Sequence, residues 1–277
     1  MASTILLGCG YTGCLVARHL LTRGVPVVAT TRHPEALECL RELGATVLRV
    51  DAESGAGLRD LREHVEAGCR VVHSVPTLRT ASGALDPTPR LLDALGDRPV
   101  RMLYLSTTGV YGRAREVDET TPVDPQTERE RLRIRAEEAV IAGPWSALVL
   151  RPAAIYGPGR GVHVSMQQGE YKLVGDGGNF VSRIHVEDLA MHVVSGLLSD
   201  VAGAFPVADE EPCRSREIAE FCARLLGLPM PGSIEPALAG ETRRSDRRVY
   251  GRAIRRLLGI ELKYPSYKSG IPAALAC

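Results

Sequence analysis

The sequence has no apolar run approaching the length a membrane-spanning helix needs, about 20 consecutive residues, so no membrane contact is expected. It has no excess of charge of one sign either: 34 Lys and Arg face 33 Asp and Glu, a formal net charge of +1. That balance offers no electrostatic footprint for nucleic acid or an anionic surface. The seven cysteines are odd in number and scattered, with no CxxC pair and no Cys/His cluster. Reduced thiols in a cytoplasmic protein are expected, without structural zinc or another metal. An apolar strand begins almost at once, so no signal peptide is expected. Internal repeats and low-complexity segments are also missing.

What is present starts with Ile5-Leu6-Leu7, then Gly8-Cys9-Gly10-Tyr11-Thr12-Gly13, then residues 14–21 at helical period. Strand, glycine turn and helix are the context in which G-x-G-x-x-G reads as a dinucleotide site rather than an ordinary turn. Gly8 permits the tight turn, Gly10 lets the backbone approach a pyrophosphate, and Gly13 lets helix and strand pack closely. The helix start, at Tyr11 and Thr12, offers N–H groups and a positive dipole end to phosphate. Cys9, inside the loop, reads either as a reactive thiol or, more plainly, as a small filler facing the sheet.

A second strand over 25–30 leads into Thr30-Thr31-Arg32-His33, where an NAD-binding fold would place a carboxylate for the adenosine ribose. None is available. Arg32 offers a fork of donors suited to a 2′-phosphate, with Thr31 and His33 beside it, which predicts NADP(H). A solvated arginine at a strand end is the plainer alternative. Asp51, after a third strand over 46–50, either faces the adenine amino group or caps the next turn. A fourth strand over 70–76 should carry His73, Ser74 and Val75 beside the cofactor, although a histidine packed in the sheet fits as well. Helices over 34–43, 58–65 and 85–95 alternate with these strands and with a fifth over 100–105. That alternation predicts a Rossmann α/β fold, a doubly wound parallel sheet.

Family-specific segments follow. Ser106-Thr107-Thr108-Gly109-Val110-Tyr111-Gly112 closes the fifth strand, with Val117-Asp118-Glu119 beyond it. Further on stand Arg151-Pro152-Ala153-Ala154-Ile155-Tyr156-Gly157-Pro158-Gly159-Arg160 and Arg183-Ile184-His185-Val186-Glu187-Asp188-Leu189-Ala190. In this order they resemble the extended, NAD-dependent epimerase/dehydratase-like branch of the short-chain dehydrogenase/reductase superfamily. The resemblance implies an NADP(H)-binding domain over 1–155, with 181–205 returning to it, and a small C-terminal substrate lobe made mostly of 156–277. It also implies a homodimer through the helices flanking the fifth strand.

That family works with Y-x-x-x-K on the helix after the fifth strand, whose spacing puts tyrosine and lysine on one helical face. Here residues 125–140 contain neither, and counting back from the acid pair Glu137-Glu138 puts Arg129 and Arg133 in their places. An arginine stays protonated and cannot shuttle a proton. The departure resembles an atypical group that keeps the glycine loop and loses Y-x-x-x-K, and residues 247–268 resemble that group's tail. By the same resemblance Thr107, four residues before Tyr111, helps hold the substrate oxygen, with Ser106 near the cofactor and Thr108 near the substrate. Tyr111, Tyr156 and His185 are the candidate substitute acids, each equally readable as a packed or capping residue. Arg129 and Arg133 either join a solvated charged face or hold a carboxylate or phosphate of the substrate. Val181 stands where relatives acting on nucleotide sugars carry an arginine, which disfavours such substrates. The expected activity is NADP(H)-dependent reduction of a small organic carbonyl or imine. The alternatives are a non-redox isomerase, dehydratase or cyclase on the same fold, and a non-catalytic NADP(H)-binding protein.

Overall fold

Short apolar runs become strands where they can be covered on both faces, and seven such runs meet in one sheet. In the computed structural model, which describes residues 2–81 and 83–276, these are β1 (Thr4–Leu7), β2 (Val27–Thr31), β3 (Thr46–Arg49), β4 (Arg70–His73), β5 (Arg101–Leu105), β6 (Ser146–Pro152) and β7 (Gly203–Val207). Their spatial order is β7-β6-β5-β4-β1-β2-β3. Every pairing from β6 across to β3 is parallel, with Leu7 beside His73 and His73 beside Tyr104. This is the Rossmann arrangement. Its winding reverses between β1 and β4, so ligands belong beyond the carboxyl ends of those strands.

The helices are α1 (Tyr11–Leu21), α2 (Glu38–Glu42), α3 (Leu58–His64), α4 (Thr88–Leu95) and α5 (Glu128–Ile141). The helix expected from Pro34 is a 3-10 turn over Pro34–Leu37 followed by the short α2, because Leu37 leaves helical geometry. Helix α5 opens with a capping box, in which Thr127 accepts from the Glu130 N–H while the Glu130 carboxylate accepts from the Thr127 N–H. Such a pair satisfies two donors that the first helical turn leaves open. Its inner face carries Arg133, Ala136, Glu137 and Val140. Ala136 and Val140 join Leu61, Leu91 and Leu95 against Ile5, Val71, Met102 and Val149 of the sheet. Each large side chain buried there contributes roughly 1.5–3 kcal/mol.

The chain divides into two units. The first takes everything up to Gly112, then Val123–Arg151 and Ala190–Ala204; the second takes Arg113–Pro122, Pro152–Leu189 and the chain from Phe205 on. The second has its own core, in which Tyr156, Met166, Cys213, Ile218, Cys222 and Ile271 are buried together. They come from the strand Ala154–Tyr156, α6 (Val162–Gln167), the strand Cys213–Arg214, α8 (Ser215–Leu226) and the helix Tyr267–Leu275. Between α6 and α8, α7 (Val186–Leu197) starts in this unit and ends in the first. Residues 113–122 join the second unit because Glu116–Val117 pairs with Arg248–Val249, a long-range pairing that no local pattern announces.

Candidate active site

The glycine loop stands at the winding reversal. Gly8 has φ +79°, and a Cβ there would lie 2.9 Å from Val75 Cγ2 and 3.1 Å from the Val75 nitrogen. Only glycine fits that turn without strain. Gly13 packs its Cα face against Cys9, whose Sγ would be 3.4 Å from an added Cβ. Cys9 is buried, as a filler would be. Gly10 differs from both: an added Cβ would meet nothing nearer than the Gly8 oxygen at 4.0 Å. Its open side is a cradle that a side chain would fill. Gly10 also caps α1 with no side chain covering the helix end, so the first-turn N–H groups of Thr12 and Gly13 can receive an anion.

Side chains from neighbouring strands brace this loop. The Gly8 N–H donates to Thr30 Oγ1 at 3.1 Å, and the Cys9 N–H donates to the Thr30 oxygen at 2.7 Å. Ser74 Oγ donates to the Gly8 oxygen at 2.8 Å. Ser74 and Val75 therefore shape the loop from beneath. At the end of β2, Arg32 is exposed, while Thr31 Oγ1 accepts from the His33 N–H at 3.1 Å and the His33 ring lies 3.3 Å from Glu35. Asp51 accepts from Ser54 Oγ at 2.6 Å and from the Glu53 N–H at 3.0 Å. These hydrogen bonds, with a smaller pull from Arg32, hold its carboxyl below the ordinary carboxylate value. Asp51 thus caps its own turn and is also within electrostatic reach of Arg32.

At the end of β5 the expected residues separate into an open and a closed set. Thr107 is half-buried, and its Oγ1 accepts from the Gly109 N–H at 3.2 Å. No acceptor for its hydroxyl hydrogen is found among the described residues. Thr108, also half-buried, follows it. Ser106 and Tyr111 turn inward instead. Ser106 donates to Glu137, and Arg151 grips the same carboxylate with Nη2 to Oε2 at 2.6 Å and Nε to Oε1 at 3.1 Å. Arg151 Nη1 then donates to the Tyr111 hydroxyl at 3.1 Å, with its guanidinium 5.1 Å from the Tyr111 ring centre. The hydroxyl of Ser106 is therefore tied up in the core rather than offered to a cofactor, and the fully buried Tyr111 is no open acid. Glu137, the hub of this network, goes unassigned in the sequence, although its spacing with Arg133, Ala136 and Val140 marks an inward face. A buried carboxylate on such a face demands a cation.

Arg133 and His73 are likewise engaged inside the first unit rather than open to a ligand. Arg133 is buried and its Nη1 donates to the Tyr104 hydroxyl at 2.6 Å, so it packs α5 on the sheet rather than holding a substrate anion. His73 is fully buried, 3.0 Å from Thr88 Oγ1 and accepting from the Val75 N–H at 3.3 Å. Burial, with a contribution from the Arg133 charge, lowers its pKa to about 3. Its ring is a neutral packing element. Arg129, one turn before Arg133 on the same side of α5, is exposed.

In the second unit Tyr156 and His185 are also interior. Tyr156 donates to the Ser266 oxygen at 3.2 Å, and a Cβ on Gly270 would collide with its hydroxyl oxygen at 2.1 Å. Burial pushes that hydroxyl well above its ordinary pKa. His185 packs 5.2 Å from the Tyr156 ring and 4.0 Å from the Tyr264 ring. Its Nδ1 accepts from the Glu187 N–H at 3.2 Å, and burial lowers its pKa to about 4. It is neutral at neutral pH, not the titrating group expected. Asp188 ties down the tail by accepting from the Lys263 and Tyr264 N–H groups at 2.8 and 3.0 Å. Among the described residues no group of three His, Cys, Asp or Glu could hold a metal, and no helix is long and apolar enough to cross a membrane.

With this geometry in place, residues 5–204 match the NAD dependent epimerase/dehydratase family. The chain belongs to that family. A 3-diazoavenalumate denitrifying reductase from a Streptomyces species is 31% identical over 109 residues, 37% of this chain and only 36% of that protein. A 2-alkyl-3-oxoalkanoate reductase from Stenotrophomonas maltophilia (strain K279a) is 27% identical over 255 residues, 80% of this chain and 74% of that protein. The solved structure of a functionally unknown conserved protein from Silicibacter pomeroyi DSS is 31% identical with a TM-score of 0.81, covering 100% of this epimerase/dehydratase family member and 99% of that chain. Two more distant structures share the fold. MoeE5 in complex with UDP-glucose and NAD is 21% identical, with a TM-score of 0.80 over 99% of this chain and 98% of that one. Human epimerase family protein SDR39U1 with NADPH is 17% identical, with a TM-score of 0.78 over 99% of each chain. By its description the family is NAD dependent.

Proposed function

We propose that this chain is an NADP(H)-dependent reductase of a small organic carbonyl or imine. The observation that carries the reading is the open first turn of α1, where Gly10 leaves room for a pyrophosphate beside the uncapped N–H groups. Arg32, exposed at the end of β2 with no carboxylate at 30–33, supports a 2′-phosphate. A bound nicotinamide supplies the hydride. Thr107 is the substrate-facing group. Its oxygen already accepts from Gly109, so its hydroxyl hydrogen is free to hold a carbonyl oxygen, and its second lone pair is free to accept the N–H of a protonated imine. A threonine hydroxyl does not ionise in the working range, so it orients and polarises without giving up its proton. In carbonyl reduction the proton that completes the alcohol then comes from water. A protonated imine needs no such proton, which makes imines the substrates best matched to a site without Tyr and Lys. Exposed Arg129 would favour a substrate with an anionic group. The relatives named as reductases support net reduction.

The test is nicotinamide absorbance with NADPH and NADH over ketones, aldehydes and cyclic imines, together with a direct titration of both dinucleotides. Oxidation of NADPH in preference to NADH is expected. Substrate conversion with no net cofactor change would point instead to an isomerase, dehydratase or cyclase, and tight binding without conversion to a non-catalytic role. A clear NADH preference would overturn the assignment of Arg32. A homodimer through α4 and α5 belongs to the same proposal, and a solution mass by light scattering checks it.

A further inference from the structure

The second unit contains a cavity of about 180 Å³ whose charge is one-sided: Arg183, Lys172 and Arg243 line it, with no carboxylate among the described lining residues. The rest of the wall is largely apolar, with Ile155, Ile218 and Ile271 prominent. Lys172 and Arg243 are exposed, whereas Arg183 is only 5% exposed. Arg183 Nη1 donates to the Val181 oxygen at 3.0 Å and to Cys213 Sγ at 3.1 Å. Its Nε and Nη2 have no hydrogen-bond partner among the described residues. Arg183 lines the cavity, and this edge is the part of its guanidinium left for a ligand there. The Nε–Nη2 edge is a planar fork that meets a carboxylate through two parallel N–H···O bonds.

A buried arginine ordinarily has an anion beside it. No carboxylate lies within ion-pair distance of Arg183 among the described residues. Asp209 feels its charge, but burial raises the Asp209 pKa to about 8, so that carboxyl is mostly neutral at pH 7. Size restricts the ligand further. A cavity of about 150 Å³ holds benzene, so this one takes a single ring, or a branched chain of like bulk, with its acid group.

We propose that this cavity binds a small organic monocarboxylate of about benzoate size, gripped by the Arg183 fork with its apolar body against Ile218 and Ile271. Lys172 and Arg243 draw the anion in from the rim. The inference stands on the second unit alone and does not depend on the reductase reading. The carboxylate is carried by either a substrate or an effector.

Calorimetric titration of the full chain without dinucleotide tests it, using benzoate and cyclohexanecarboxylate against benzamide and cyclohexanecarboxamide. The acids are expected to bind roughly 10- to 100-fold more tightly than the amides, the worth of a charge-assisted pair. Arg183→Lys keeps the charge and loses the fork, so acid affinity should fall about 10-fold. Arg183→Gln should abolish the preference for acids. Should that variant fail to fold by thermal melt, Arg183→Lys and the rim double variant Lys172→Gln/Arg243→Gln still decide. Equal binding of acids and amides, binding of neither, or unchanged acid affinity in Arg183→Lys overturns the proposal. Two further arms separate the sources. Oxidation of NADPH by phenylglyoxylate, weakened in Arg183→Lys, assigns the carboxylate to substrate. A change in turnover of an uncharged ketone on adding benzoate assigns it to an effector.

Discussion

Replacing Gly10 with alanine should weaken dinucleotide binding and spare the fold, whereas replacing Gly8 should strain the fold itself. At Gly10 φ is −108°, not the left-handed value that demands glycine, and an added Cβ finds its nearest neighbour at 4.0 Å. Stability should therefore move by no more than about 1 kcal/mol in either direction. The new methyl nevertheless stands where a pyrophosphate must approach the backbone. Losing a single charge-assisted hydrogen bond removes about 1.5–3 kcal/mol. At 1.4 kcal/mol per decade, that is a rise in Kd of roughly 10- to 100-fold. Gly8→Ala meets a different obstacle. Its φ of +79° and the 2.9 Å approach to Val75 Cγ2 make the fold itself strained, by about 1–3 kcal/mol. Fluorescence titration with NADPH and a thermal melt on both variants separate the two effects. Wild-type NADPH affinity in Gly10→Ala would refute the placing of phosphates at the start of α1.

Four further perturbations probe other parts of the molecule. Arg32→Ser should weaken NADPH by roughly 10- to 100-fold and leave NADH binding unchanged, read by parallel titrations. Thr107→Val should lower turnover about 100-fold with dinucleotide affinity intact, read by steady-state kinetics beside the same titration. Glu137→Gln strands the buried Arg151 charge and should destabilise by about 3–5 kcal/mol in urea unfolding. Asp209 has a folded-state pKa of about 8, raised from 3.8 chiefly by burial, so the native chain keeps a proton that the unfolded chain releases. Stability from this group is full below pH about 4 and drains away as pH rises toward 8; Asp209→Asn should flatten that slope in melts across the range.

The parts of this molecule that were legible in its sequence are those decided by local geometry. Strand β1, the glycine loop and α1 are contiguous, and the need of Gly8 for positive φ is a property of a single turn. Apolar runs such as 71–72 and 102–105 can be covered only inside a sheet, so the parallel winding followed. Residues 113–122 and the Arg151–Glu137–Ser106–Tyr111 network were not legible, because their partners lie far along the chain. Pattern resemblance marked Tyr111 and Arg151 as belonging to family-like segments, but a segment does not reveal whether a hydroxyl opens to a cleft or closes on a guanidinium. The place of the expected lysine shows the same limit. Helical spacing puts Arg133 on the inner side of α5, and only the three-dimensional neighbour, the Tyr104 hydroxyl at 2.6 Å, shows that the charge is already engaged.

That engagement bears on the chemistry. Near the end of β5, His73 has its pKa lowered to about 3, and Tyr104 has its hydroxyl raised by burial. Neither can exchange a proton with a substrate near neutral pH. Arg133 and Arg151 are spoken for by Tyr104 and Glu137. What the sheet unit offers there is a hydrogen-bond donor, Thr107, and an exposed cation, Arg129, without an acid tuned to neutrality. A site so furnished suits hydride acceptance by a group that is already activated or that takes its proton from water. An imine that arrives already protonated, as proposed above, needs no acid from this set of residues, and its anionic substituent rather than its nitrogen would face Arg129.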